Sequence, residues 1–183
     1  MYILFKRHKQ AEHLYTVMGK ALTICQRFEE SVKFVMNGVL SSHGYNMNKI
    51  NLDAIFDVNS RDHKKIFNLT LGNRLKHPWL IETVYFNDEN LKVLTEGKEA
   101  RNYLCHESTL SFSFGFDLIE SYKSVEDYLL IKQNIDKLCK AFVLISEFHY
   151  QIQEKEPSQY TAESYMEQLK EWIFINDPSF LAL

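Results

Sequence analysis

The sequence predicts an all-α, up-and-down helical bundle, with two long antiparallel helices and three or more shorter ones. Three observations lead there. Apolar residues recur in steps of three and four over two stretches of about thirty residues, as they do on a helix that buries one stripe. Glycine and proline are scarce, six and three in 183 residues, whereas sandwiches and barrels need turn residues every roughly 8–12 positions. No segment reads as a strand with an evident partner.

The first element spans about 10–40. Leu14, Met18, Ala21, Cys25, Phe28, Val32, Val35 and Val39 form a narrow seam, with Glu12, Lys20, Gln26, Arg27, Glu30 and Lys33 off it. Gly38 and Ser41-Ser42-His43-Gly44 mark its end. Residues 43–60 read as a loose excursion. Ser60 or Asp62 is then placed to cap a shorter helix that carries Ile66, Leu69, Leu71 and Leu75 and reaches about Lys76. Pro78 stops it, because the residue before a proline is pushed out of helical dihedrals. The apolar run over 79–86 reads as helix or extended linker.

Asn87-Asp88-Glu89-Asn90 opens the third helix, with Leu91, Leu94, Ala100 and Leu104 on its apolar side. Gly97 reads as a weak spot in it, costing about 1 kcal/mol relative to alanine. An aromatic, serine-rich connection follows over 108–115. The second long helix covers about 124–154, on Tyr128, Ile131, Ile135, Leu138, Phe142, Ile145, His149 and Ile152. Pro157 closes it. A last helix over 161–174 has Tyr165, Leu169, Trp172 and Ile173 as its stripe. With no repeat or composition break, residues 1–183 read as one domain, with a motif region at 87–107 and an accessory helix within 158–176.

Composition narrows the function. A net charge of −3 and a pI near 6.2 lack the overall basic signature of a duplex-DNA binder. No run of eighteen apolar residues predicts a membrane span, and the N-terminus does not read as a signal peptide. Three scattered cysteines, Cys25, Cys105 and Cys139, read as reduced core thiols. The expected compartment is the cytoplasm. No cofactor or metal is expected: Glu-x-x-His pairs, glycine-rich phosphate loops and nucleophile elbows are all missing.

The stretch with the most chemistry is Arg101-Asn102-Tyr103-Leu104-Cys105-His106-Glu107. A guanidinium is a rigid, permanently charged fork for phosphate. An imidazole is the side chain suited to proton transfer near neutral pH. Asn102 and His106 are four apart and share a helix face, but Arg101 and His106 are five apart, about 140° around the axis. They converge on one ligand only where the helix ends or distorts, or where a second chain completes the site. Simpler readings exist for both: each complements the negative end of a helix dipole, and Arg101 can pair with a glutamate. A second basic cluster, Arg74, Lys76 and His77 ahead of Trp79, suits RNA backbone contact or a solvated helix end. His149, on the long seam, reads as a core histidine.

The Arg-x4-His spacing, with a polar residue after the arginine and a long helix following, resembles the motif of HEPN-domain ribonucleases. Gln26-Arg27-Phe28-Glu29-Glu30 on the first long helix resembles that family's first helix, where acidic residues face the active site. The likeness rests on about ten residues of sequence. It implies a dimeric, metal-independent endoribonuclease, a toxin or defence component held by an inhibitory antitoxin. In it His106 acts as general base or acid, Arg101 stabilises the phosphorane and Asn102 orients either group. The alternative is a helical binding or assembly module without catalysis. A third reading is a small-molecule pocket lined by Phe112, Phe114 and Phe116.

Overall fold

The computed structural model describes residues 9–44, 69–76, 87–108, 122–152 and 161–174, with side chains described for 14–38, 69–76, 87–108, 127–151 and 161–174. All regular structure among them is helical: α1 (Lys9–Gly44), α2 (Leu71–Leu75), α3 (Asp88–His106), α4 (Tyr122–Ile152) and α5 (Ala162–Phe174). None of these helices is long and apolar enough to cross a membrane.

The four main helices form an all-α bundle in up-and-down order. Arg101 of α3 meets Glu29 of α1, while Gly97 faces Phe28 and Cys105 lies near Cys25. Gly97 also faces Ala141 of α4, and Phe34 of α1 stacks on His149 of α4 at 3.9 Å, so the two long helices α1 and α4 run in the same sense. Gly97 against Ala141 and Tyr103 near Asp127 make α3 antiparallel to α4, and therefore to α1 as well. Asp136 with Lys170 and Phe142 with Tyr165 make α4 and α5 antiparallel. The antiparallel neighbour of each long helix is the shorter α3, not the other long helix. Up-and-down order with a full return helix between them requires this.

The core lies where α1, α3 and α4 meet, with Phe28, Val32, Leu94, Ala100, Ile131, Ile135 and Leu138 all buried. Each large apolar side chain of this kind stabilises the fold by about 1.5–3 kcal/mol relative to exposure. Helix propensities differ by only up to about 0.7 kcal/mol among ordinary residues. Burial of a common face, rather than local preference, holds these helices together. On α1 the buried face is wider than the expected seam, because Val17, Ile24 and Met36 join it. α1 packs against α3, α4 and α5 at once, and a narrow stripe cannot serve three neighbours.

Several elements differ from expectation. Leu69 and Thr70, expected inside a helix that reaches Lys76, are not helical. Thr70 takes an extended conformation, ψ 156°, and its hydroxyl accepts from the Asn73 amide to start α2. α3 begins where expected, with the Asn87 side chain accepting from the Asn90 amide at 2.8 Å. Thr161 caps α5, its hydroxyl accepting from the Ser164 amide at 3.2 Å. Trp172, expected in the stripe of α5, is 44% exposed. Lys20 covers its ring at 5.1 Å and donates to its carbonyl at 2.7 Å, so the indole packs beneath a cation at the rim rather than in the core. Of the 43–60 excursion, His43 and Gly44 belong to α1; its remainder, His77, the 79–86 run, the capping positions Ser60 and Asp62, and Phe112, Phe114 and Phe116 lie outside the described residues.

Candidate functional site

The site is built on the second half of α3, where the core-facing stripe Leu94, Gly97, Ala100 and Leu104 anchors the helix. Arg101 follows Ala100 on the flank turned toward α1. Its Nη2 donates to Glu29 Oε2 at 2.9 Å and its Nη1 to Asn102 Oδ1 at 3.2 Å. Its Nε is buried and has no hydrogen-bond partner among the described residues. The guanidinium thus sits half-buried at the α1–α3 seam, bonded on one side to a carboxylate and on the other to the amide beside it.

Glu29 is the centre of this cluster. Its other oxygen accepts from Lys33 at 3.2 Å, one turn along α1. Burial alone would raise the Glu29 pKa, but the bonds and charges of Lys33 and Arg101 outweigh it and hold the carboxyl below its ordinary range. Arg74 adds a third cation whose field reaches Glu29. Positive charge is therefore in local excess here, on a chain whose net charge is −3.

Arg74 does not lie where a solvated basic cluster needs it. It is 1% exposed, follows Leu71 by three positions and precedes Leu75 by one, and so shares their buried face. Its Nε donates to the Leu69 carbonyl at 2.9 Å, and its Nη1 approaches the Met36 sulfur at 4.0 Å. Burial lowers its pKa, and Glu29 partly opposes that. The buried guanidinium joins α2 to the bundle and is withdrawn from any RNA backbone. Lys76, at the end of α2, is exposed.

α3 ends at His106, so both Arg101 and His106 lie within it. The amides of Glu107 and Ser108 both donate to the Tyr103 carbonyl at 2.9 Å. The Ser108 hydroxyl is buried and donates to the Leu104 carbonyl at 2.7 Å. His106 and Asn102 are exposed on the face opposite the core. The structure thus brings Arg101 and Asn102 together directly and leaves His106 one turn past Asn102, on its face. Arg101 reaches that face only through its bond to Asn102.

Beside the ion pair lie two thiols. Cys25 is buried, Cys105 is half-buried, and they lie near each other. Burial, and then Cys105, push the Cys25 thiol far up. Cys139 is separate, on α4, and burial pushes its pKa up to about 12. Among the described residues no three His, Cys, Asp or Glu side chains come together as a metal site needs.

Sequence reasoning missed three parts of this arrangement. The Glu29–Lys33 bridge was legible as an i, i+4 pair. The burial of Arg74 was signalled by its place between Leu71 and Leu75. The Cys25–Cys105 proximity had no local signal, because it depends on the register between two helices. Comparison with protein-family models, curated proteins and solved structures gives no match.

Proposed function

We propose that the chain is a metal-independent endoribonuclease of the HEPN type, acting as a homodimer and serving as a toxin or defence component under the control of an antitoxin. The observation that carries this reading is the placement of Arg101. Glu29 and Asn102 hold its guanidinium at the edge of the exposed surface that ends in His106. A cation fixed before substrate arrives needs no reorganisation when charge develops on a phosphate.

In this mechanism the His106 imidazole takes the proton from a ribose 2′-hydroxyl. The 2′-oxygen attacks the adjacent phosphorus and forms a phosphorane, whose added charge Arg101 stabilises. The bond to the 5′-oxygen then breaks, and an imidazole of the second copy returns a proton to that oxygen. The products are a 2′,3′-cyclic phosphate and a 5′-hydroxyl. Asn102 orients Arg101. The dimer supplies what the single helix does not, since Arg101 and His106 lie about 140° apart around its axis.

The test is RNA cleavage in EDTA by the wild type, His106→Ala and Arg101→Ala. Both variants are expected to lose at least about 100-fold in rate, the usual size of a general acid–base contribution, with an unchanged far-ultraviolet spectrum. Equal cleavage by all three would assign the activity to a contaminant.

Two observations favour a second reading, a helical binding or assembly module. Arg101 is already neutralised by Glu29 within one chain, and α1 and α4 run in the same sense where the HEPN pattern has its long helices antiparallel. A wild type that binds RNA or protein but cleaves nothing would select it.

A further inference from the structure

We propose that Cys25 and Cys105 form an oxidisable pair, which a hydroperoxide converts to a disulfide tying α1 to α3. The inference is independent of the ribonuclease reading and rests on register. Cys25 lies one turn before Glu29 on α1, and Cys105 lies one turn after Arg101 on α3. The helices are antiparallel, and Glu29 and Arg101 are joined at 2.9 Å. The next turn along the seam therefore places Cys25 opposite Cys105, close enough for the Cys105 thiol to raise the pKa of Cys25. Forming the bond requires the sulfurs to close to roughly 2.05 Å, with no change in which helices pack together.

The two thiols are unequal in a way that suits sequential chemistry. Cys105 is half-buried near the end of α3 and is open to a small oxidant, whereas Cys25 is 2% exposed. The Cys105 thiolate attacks one peroxide oxygen, the O–O bond breaks, and a sulfenic acid forms on Cys105 as hydroxide leaves and takes up a proton. The Cys25 sulfur, as thiolate, then attacks the Cys105 sulfur. The S–S bond forms, the S–O bond breaks, and the hydroxyl leaves as water with the Cys25 proton. In balance, two thiols and one hydrogen peroxide give one disulfide and two waters; the sulfurs lose two electrons and the peroxide gains them. Burial disfavours the Cys25 thiolate, so this resolving step is the slow one. The Arg101 charge partly offsets that burial. Cys139, across the bundle on α4, has no such partner and serves as an internal reference.

The experiment uses the folded, full-length chain. It is treated with hydrogen peroxide, its remaining thiols are alkylated in denaturant, and it is digested for mass spectrometry. The expected result is a Cys25–Cys105 linked peptide within one chain, lost on addition of dithiothreitol, with Cys139 alkylated. In Cys25→Ala, Cys105 should instead accumulate a sulfenic acid that dimedone traps. In Cys105→Ser, Cys25 should stay fully alkylatable. Oxidation of Cys105 to sulfinic acid while Cys25 remains free overturns the proposal. A link to Cys139, or a link found only between chains, does the same. The wild-type map decides the matter even if a variant does not fold.

Discussion

At Gly97, α3 and α4 approach more closely than any side chain allows. A Cβ there would lie 2.1 Å from the Ala141 Cβ and 3.4 Å from the Phe28 ring. Alanine would gain about 1 kcal/mol in helix propensity but force the helices apart. Gly97→Ala is therefore expected to lower stability by about 1–3 kcal/mol, as overpacked cores do. Urea denaturation measures this, and Ala141→Gly in the same chain should restore most of the loss. Glu29 supports a second prediction at this scale. Its folded pKa lies below the ordinary 4.5. Its stabilising contribution is thus fully present above that value and disappears as pH falls through the folded one. Glu29→Gln should cost about 1 kcal/mol at neutral pH, the upper range for a partly exposed pair, and should flatten the acid limb of the stability curve. Parallel acid limbs in wild type and variant would rule out the assigned role of the ion pair.

Among the elements, α2 and α5 each add polar anchors to their buried apolar residues. α2 has only five residues, too short to persist alone, since isolated helices are marginal below about 12–15 residues. Arg74 and the leucines beside it dock α2. Arg74→Ala removes a fully buried side chain and leaves the Leu69 carbonyl without its donor, so a loss of about 2–4 kcal/mol is expected by thermal or urea unfolding. Arg74→Met restores the volume and should recover part of it. On α5, Lys170 pairs with Asp136 of α4, which also holds Lys140 at 2.7 Å. Burial would raise the Asp136 pKa, but the two lysines more than reverse that. Asp136→Asn should reduce hydrogen-exchange protection across α5 while α3 keeps its own, because Lys170 would lose its charged partner on α4.

For the whole molecule, the proposed activity requires a second copy. Light scattering at micromolar concentration should report a dimer, and His106→Ala should leave that dimer intact while abolishing cleavage. A monomer that nevertheless cleaves RNA would remove the role assigned to the shared site. The bundle itself was legible because α1, α3, α4 and α5 each bury a face, and a buried face imposes helical spacing on apolar residues. Chain order added the alternation of direction between successive main helices. The site was legible only as residue types. Arg101, Asn102 and His106 stood out by spacing, but the partners that fix Arg101 lie 72 positions away on α1 at Glu29 and in the adjacent amide.

The sequence by itself determined the helices, their main boundaries and most of the core, since propensity, capping residues such as Asn87 and apolar period are properties of neighbours along the chain. Only the tertiary structure decided that Gly97 is a point of close approach rather than a weak turn and that Trp172 lies at the rim. It also decided that Cys25 lies near Cys105 where Arg101 meets Glu29. The physical reason is common to all of these. Each depends on the register and separation between two helices, and those are set by packing the whole bundle, which no local run of residues encodes.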